Sequence, residues 1–203
     1  MASEPFNPVR FTRNALLIGG GVGLCIWAWV ALFQPNLFPK RFHTVQPGEL
    51  YRAGKLTPAA VRTVVEERDI RTIVDLGAWT EGSREDRLAQ RVADSLGVDR
   101  IRLNLHGDAT GDPENYVRAL KLVTDPTRQP VLLHCGAGTE RTGCAIMLYR
   151  TIIQGEDADA AYDEAQRIGH SPTRNDKMRP TFDAVRPLVE AALTESTDPA
   201  PEG

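Results

Sequence analysis

Apolar and polar positions follow two patterns along most of this chain. Short apolar runs predict buried strands, and longer stretches with apolar residues at helical spacing predict amphipathic helices. The predicted strands lie near residues 48–54, 72–76, 100–105 and 131–133. The predicted helices are one that starts at Pro58 and others at residues 84–96, 113–123, 142–154, 158–168 and 181–193.

This alternation of strands and helices predicts an α/β domain, with a central, mostly parallel sheet flanked by helices on both faces. Ligands bind such a sheet at the carboxyl ends of its strands. We expect the domain to span residues 44–193, after a proline-containing linker at residues 35–43 and before a disordered polar tail at residues 194–203.

The N-terminal region has a different pattern, because residues 15–33 include no charged side chain. A helix rising about 1.5 Å per residue over this length would cross a hydrocarbon core of roughly 30 Å. We therefore predict a short tail at residues 1–14 and one N-terminal transmembrane helix at residues 15–34, with a cleaved signal peptide as the alternative. Within it, Gly19 and Gly23 have the GxxxG spacing that allows helix dimerisation.

The flanking charges bear on how such a helix would be oriented. Arg10 and Arg13 precede the apolar segment, and Lys40 and Arg41 follow it, so the positive charges are nearly balanced. Because Arg13 lies closer to the segment than Lys40 does, the balance leans towards an N-terminus inside. The expected localisation is a single-pass membrane protein with its domain on the extracytoplasmic side.

Composition narrows the classes of function. The chain is 41% hydrophobic and 25% charged, as globular proteins are, and its net charge of −3 gives no basic surface for nucleic acid. Three cysteines are too few for a disulfide framework. His43, His106 and His170 lack the spacing of metal ligands, so we expect no metal and no cofactor.

The segment that carries candidate chemistry follows the strand at residues 131–133 and reads HCGAGTERTG. Cys135 can attack phosphorus only as a thiolate, and an ordinary thiol with a pKa of about 8.5 is mostly protonated at neutral pH. Glycines at positions 136, 138 and 143 allow the loop to wind tightly around a helix N-terminus, where backbone N–H groups favour an anion. Arg141 offers two parallel donors to two phosphate oxygens.

Each position of this segment therefore has an expected role. Thr142 would lie beside the sulfur, and His134 would order the loop through its ring nitrogens. The residues expected to bind the phosphate are Gly136, Ala137, Gly138, Thr139, Glu140 and Arg141. The pattern predicts hydrolysis of phosphate monoesters by a cysteine.

Such a reaction also needs an acid that protonates the leaving oxygen. The loop at residues 106–114 supplies the carboxylates of Asp108, Asp112 and Glu114. Asp108 is the preferred candidate, because it follows a predicted strand on a loop that could swing over the cysteine. Asp112 precedes Pro113 and is also typical of a helix N-cap, so Asp112 and Glu114 stay as alternatives.

The motif H-C-x5-R-[S/T]-G resembles the signature of the protein tyrosine phosphatase superfamily and matches it at every position. Residues 51–55, YRAGK, are similar to the YRSGQ opening of small bacterial dual-specificity-like phosphatases. Residues 108–113 are similar to the D-x-T-G-x-P acid loop of the mitochondrial phosphatidylglycerophosphate phosphatase type. The resemblance implies a dual-specificity phosphatase fold, most similar to the membrane-anchored bacterial type, and a metal-independent reaction through a phosphocysteine.

Two departures from this resemblance leave the substrate open. Relatives that prefer inositol lipids tend to carry lysine in the loop, whereas this loop has Glu140 beside Arg141. Glu140 would oppose a multiply phosphorylated substrate unless it points away or pairs with Arg141. Many bacterial relatives also follow the second strand with an arginine, where this chain has Gly77 and Ala78, and Arg84 is the nearest replacement.

Three functions remain as expectations. The first is a protein phosphatase acting on phosphotyrosine or with dual specificity. The second keeps the chemistry but acts on a membrane phospholipid, either phosphatidylglycerophosphate or a phosphoinositide. The third is a membrane-tethered phosphate-binding module with little turnover, because Glu140 would disfavour the thiolate of Cys135.

Overall fold

The structure is a computed structural model that describes residues 8–29 and 39–195. The chain divides into two units, Met1–Phe38 and Pro39–Gly203. In the first unit the described residues form helix α1, Pro8–Ala28. Residues 8–14 of the predicted N-terminal tail belong to α1, whereas residues 1–7 and most of the predicted C-terminal tail lie outside the described residues.

No helix among the described residues is long and apolar enough to cross a membrane. The transmembrane helix predicted at residues 15–34 is therefore not supported. Helix α1 starts early enough to include Arg10 and Arg13, and it ends at Ala28. Its uncharged part, residues 15–28, is about 21 Å long against a core of roughly 30 Å, and residues 30–34 lie outside the described part of the chain.

The second unit is built on a five-stranded sheet in the order β1-β2-β5-β3-β4. The strands are β1 His43–Gln46, β2 Leu50–Ala53, β3 Thr72–Asp75, β4 Asp99–Arg102 and β5 Val131–His134. Strand β1 is antiparallel to β2, and the other neighbours are parallel. The predicted α/β class with a mostly parallel sheet is confirmed, and β5 occupies the centre of the sheet.

The described residues of this unit include six helices that surround the sheet. They are α2 Pro58–Arg68, α3 Arg84–Ser95, α4 Pro113–Thr124, α5 Glu140–Leu148, α6 Ala158–Ile168 and α7 Met178–Glu195, and α5 continues as a π-helical turn over Tyr149–Ile153. Thr57 caps α2, since its side chain accepts a hydrogen bond from the N–H of Ala60, and Pro58 follows it as predicted. Helix α5 starts at Glu140 rather than at Thr142, which places Arg141 in its first turn.

The apolar core lies on both faces of the sheet, because alternate side chains of each strand point to opposite faces. Leu132 packs with residues of α2 and α3, whereas Leu133 packs with residues of α4 to α7. Cys135 continues the side of Leu133 and belongs to the same buried cluster. The central strand therefore delivers the cysteine to the carboxyl end of the sheet, between β2 and β3.

Candidate active site

The loop from Cys135 to Thr139 connects β5 to α5 and bends around the cysteine sulfur. The side chain of Cys135 is buried, and the N–H of Gly138 donates to its Sγ at 3.2 Å. Gly138 has a φ of +78°, and a Cβ there would come within 2.6 Å of the Gly54 nitrogen. Only glycine fits this position, because it allows both the left-handed backbone and the close approach to β2.

The carbonyl groups of this loop are held from outside. The backbone N–H of Lys55 donates to the carbonyl of Gly136 at 3.0 Å. Arg41 Nη1 donates to the carbonyl of Ala137 at 2.9 Å, and Arg52 Nη2 donates to that of Gly138 at 2.9 Å. With three consecutive carbonyls turned outward, the N–H side of the loop faces the sulfur. This is the arrangement that binds an anion at a helix N-terminus.

Arg141 lies half-buried in the first turn of α5, directly after the loop that bends around the cysteine sulfur. Its Nη1 donates to the carbonyls of Leu76, at 2.9 Å, and of Gly77. Among the described residues no carboxylate forms an ion pair with Arg141, and its Nε has no partner. Within the described part of the chain, the guanidinium charge is thus not neutralised by a carboxylate.

His134 sits at the end of β5 beside Asp75 at the end of β3, because the two residues are partners in the parallel register. Its Nε2 lies 3.9 Å from Asp75 Oδ2. Burial lowers the pKa of His134 and outweighs the raising effect of Asp75, so the ring is neutral at pH 7. The hydroxyl of Thr142 is buried with no partner within the described chain, and no bond to the sulfur is formed.

Asp75 is a residue of this site that the sequence pattern did not single out. Its Oδ1 accepts from the N–H of Ala78 at 2.6 Å, and its Oδ2 accepts from Arg100 at 2.5 Å. Burial would raise its pKa, but the nearby His134, the Ala78 N–H and Arg100 together hold it below the usual range. Arg84, suggested as the replacement for an arginine after β3, is exposed at the start of α3.

Asp108 lies half-buried on the loop between β4 and α4. Its Oδ1 accepts from the hydroxyl of Thr110 at 2.7 Å and from the Thr110 N–H at 3.1 Å. These bonds lower the pKa of Asp108 against the opposing effect of burial. Asp108 also lines a cavity of about 400 Å³ whose wall includes Ala137 and Thr139 of the cysteine loop.

The alternative acids are placed differently. Asp112 is exposed and caps α4, where its Oδ1 accepts from the N–H of Glu114 at 3.0 Å. Glu114 is exposed in the first turn of the same helix. The cavity beside the cysteine loop is lined by Asp108 and by neither of these two residues.

Glu140 turns away from Arg141. Its Oε2 accepts from His170 Nδ1 at 2.7 Å and from Asn175 Nδ2 at 2.6 Å. The ring of His170 is bonded on its other side to the hydroxyl of Tyr162 at 3.0 Å. Of the two arrangements that would relieve the charge conflict, the structure shows the one in which the carboxylate points away.

Comparison with known proteins places this arrangement in a family context. A family model described as DSP-PTPase phosphatase fused to NAD+ kinase matches residues 40–182. The dual specificity protein phosphatase TpbA of Pseudomonas aeruginosa is 36% identical over 86 residues, which are 42% of this chain and 38% of TpbA. The inositol diphosphatase DSP1 of Oryza sativa subsp. japonica is 38% identical over 68 residues, or 33% of this chain and 30% of that protein. The matched segments thus span well under half the length of these curated relatives.

Solved structures extend the similarity over more of the chain. The crystal structure of P. aeruginosa TpbA has a TM-score of 0.56 at 25% identity, covering 74% of this chain and 91% of that chain. The core catalytic domain of the PP-IP phosphatase SIW14 from S. cerevisiae, in complex with citrate, has a TM-score of 0.56 at 26% identity. That match covers 64% of this chain and 76% of the yeast chain.

Proposed function

The chain belongs to the family of DSP-PTPase phosphatases described as fused to NAD+ kinase, and from this membership we propose that it dephosphorylates phosphotyrosine residues of proteins. Irrespective of its substrate, it is a cysteine-based phosphatase of the dual-specificity and tyrosine phosphatase superfamily. The observation that carries the cysteine chemistry of this proposal is the buried sulfur of Cys135 with the Gly138 N–H directed at it.

The proposed reaction has two steps. Cys135 Sγ attacks phosphorus, so that a sulfur–phosphorus bond forms while the bond to the leaving oxygen breaks, and Asp108 gives its proton to that oxygen. In the second step a water molecule attacks the phosphocysteine, Asp108 takes up the water proton, and the thiolate is released. Arg141 and the loop N–H groups hold the three non-bridging oxygens through both steps.

The burial of Cys135 supports phosphotyrosine as the substrate. Cys135 is 1% exposed, so the phosphate group must extend below the protein surface to reach its sulfur. A phosphotyrosine ring carries its phosphate further from the peptide backbone than a phosphoserine side chain does. The name of the P. aeruginosa relative, a dual specificity protein phosphatase, is consistent with this substrate class.

A second candidate is a small substrate with a further anionic group, such as an inositol diphosphate. Arg41 and Arg174 both line the cavity next to Asp108 and the cysteine loop. Two guanidinium groups there could bind a second phosphate while the first occupies the loop. The rice and yeast relatives are named as an inositol diphosphatase and a PP-IP phosphatase.

A substrate panel on the full chain tests these proposals. We expect kcat/KM to be highest for a phosphotyrosyl peptide, lower for a phosphoseryl peptide and for phosphatidylglycerophosphate vesicles, and absent for all of them in Cys135→Ser. A preference for a soluble inositol diphosphate of tenfold or more would favour the second candidate. Vesicle turnover above that of every soluble substrate would favour the phospholipid. Phosphate binding without turnover of any substrate would favour the phosphate-binding module.

A further inference from the structure

Asn175 lies between the loop that carries Asp108 and the first residue of α5. Its Nδ2 donates to the backbone carbonyl of Asp108 at 2.9 Å and to Glu140 Oε2 at 2.6 Å. One side-chain amide therefore connects the loop of the proposed acid to the helix that follows the cysteine loop.

The partners of Asn175 fix the orientation of its amide group. Its Oδ1 accepts from the backbone N–H of Lys177 at 3.0 Å, and an N–H group can only donate. The carbonyl oxygen of Asp108 and Oε2 of Glu140 both act as acceptors. A flipped amide would oppose acceptor to acceptor at two places, so only one orientation satisfies all three contacts.

The Glu140 end of this bridge is itself held in place. His170 Nδ1 donates to Glu140 at 2.7 Å, and the Nε2 on the other side of the ring lies 3.0 Å from the hydroxyl of Tyr162. The side chain of His170 has no exposed surface. Buried polar groups that are all paired in this way form a rigid anchor.

The Asp108 end is restrained at two consecutive carbonyls. Asn175 holds that of Asp108, and the hydroxyl of Tyr116 donates to that of Ala109 at 2.7 Å. Ala109 has a φ of +79°, a left-handed conformation that favours glycine. These contacts fasten the loop that the sequence suggested could swing.

We propose that Asn175 is a positioning residue for the general acid, which holds the Asp108 loop at a fixed place relative to the Cys135 loop. The inference rests on the proposed role of Asp108 as the acid. An acid held in reach of the leaving oxygen contributes to rate only in the step that needs its proton. Losing Asn175 therefore affects substrates according to how much their leaving groups need protonation.

The test compares two substrates that differ in the basicity of the leaving group. Phenyl phosphate releases a basic phenoxide that needs a proton, whereas 4-nitrophenyl phosphate releases a less basic nitrophenolate that departs readily without one. In the full chain, Asn175→Ala is expected to lower kcat/KM for phenyl phosphate at least about tenfold, which is part of the roughly 10²- to 10⁴-fold that a general acid contributes in full. For 4-nitrophenyl phosphate the loss is expected to stay below about threefold. The neighbouring exposed variant Asp176→Ala serves as the matched control and should change neither value.

Asp108→Asn separates the two assignments. It should show the same selective loss, and adding Asn175→Ala to it should cause no further selective loss, because both changes remove one function. Without a selective loss in Asp108→Asn, the acid assignment fails and the inference fails with it. With that loss present, an equal decrease for both substrates in Asn175→Ala would overturn the inference alone.

A second variant guards against a folding defect. Asn175→Ser keeps an acceptor for the Lys177 N–H but is too short to bridge Asp108 and Glu140, and it should reproduce the selective loss while still unfolding cooperatively well above the assay temperature. Full activity of Asn175→Ser on phenyl phosphate would contradict the inference.

Discussion

The buried side chain of Arg52 is hydrogen-bonded to the backbone of Gly138 in the cysteine loop. Its Nη2 donates to the Gly138 carbonyl at 2.9 Å, and the N–H of the same glycine faces Cys135 Sγ. The side chain of Arg52 is buried, and its Nε and Nη1 have no partner among the described residues. Burial lowers the pKa of Arg52 to about 10, so it still carries its charge at neutral pH.

Replacing this buried cation should impair both the loop and the reaction. We expect Arg52→Met to lower kcat/KM for aryl phosphates at least about tenfold, because the Gly138 carbonyl loses its donor, and to cost about 1–3 kcal/mol in the free energy of unfolding. Steady-state kinetics and urea titration measure the two effects. Arg52→Lys keeps the charge and should lose less activity than Arg52→Met; wild-type turnover in Arg52→Met would show that the contact is dispensable.

The bond from Thr110 to Asp108 predicts an activity that decreases towards high pH. Because the pKa of Asp108 is lowered, its proton is lost at lower pH than usual, and kcat/KM for phenyl phosphate should fall as pH rises through that value. Thr110→Val removes the hydroxyl donor and should raise the pKa of Asp108, which moves this limb of the profile to higher pH. A pH–rate profile from pH 3 to 8 measures the shift.

The chain contains a matched control for this shift. Thr127 makes the same pair of bonds to Asp125, at 2.8 Å from its N–H and 2.7 Å from its hydroxyl. Asp125 follows α4 and does not line the cavity beside the cysteine loop. Thr127→Val should leave the profile unchanged, and an equal shift in both variants would argue against Asp108 as the titrating group.

Local patterns predicted the parts of the fold that depend on local physics. The Thr57 cap with Pro58, and the strand followed by a glycine-rich turn around Cys135, are determined by neighbours in sequence. Helix α5 starts at Glu140, two residues earlier than the predicted start at Thr142.

Contacts that depend on strand register or on distant segments could not be predicted in this way. Asp75 reaches His134 only because β3 and β5 align in parallel register, and nothing near Asp75 in sequence indicates its partner. Glu140 meets His170 and Asn175, which lie thirty or more positions away. The predicted spanning helix at residues 15–34 is not supported among the described residues, where α1 ends at Ala28.

Gly138 provides a test of the loop backbone. Gly138→Ala would combine a φ of +78° with a Cβ 2.6 Å from the Gly54 nitrogen, so we expect loss of turnover and of more than about 2 kcal/mol in unfolding free energy. Gly82→Ala is the control, because Gly82 has a similar φ of +67° with nothing within 4 Å. It should cost only about 1 kcal/mol of backbone strain and keep activity. Equal effects in the two variants would contradict the steric argument.

Asp112 should contribute to stability and not to turnover. Removing the N-cap of α4 in Asp112→Ala is expected to cost about 1 kcal/mol, while kcat/KM on phenyl phosphate stays within about twofold of wild type. Thermal unfolding and kinetics measure both. If Asp112→Asn instead shows a large loss of kcat and loses the decrease in activity towards high pH, the acid role belongs to Asp112 rather than to Asp108.

Cys144 should be chemically inert although it follows Cys135, the proposed nucleophile, closely in sequence. Burial in the core raises the pKa of the Cys144 thiol to about 12 and outweighs the lowering effect of a hydrogen bond with Tyr116. A thiol without thiolate character neither alkylates nor forms a disulfide readily. After mild peroxide treatment, mass spectrometry should find oxidised Cys135 and no disulfide between Cys135 and Cys144. Cys144→Ala should lose activity to peroxide at the wild-type rate; a linked peptide, or faster irreversible loss in this variant, would identify Cys144 as a protecting thiol.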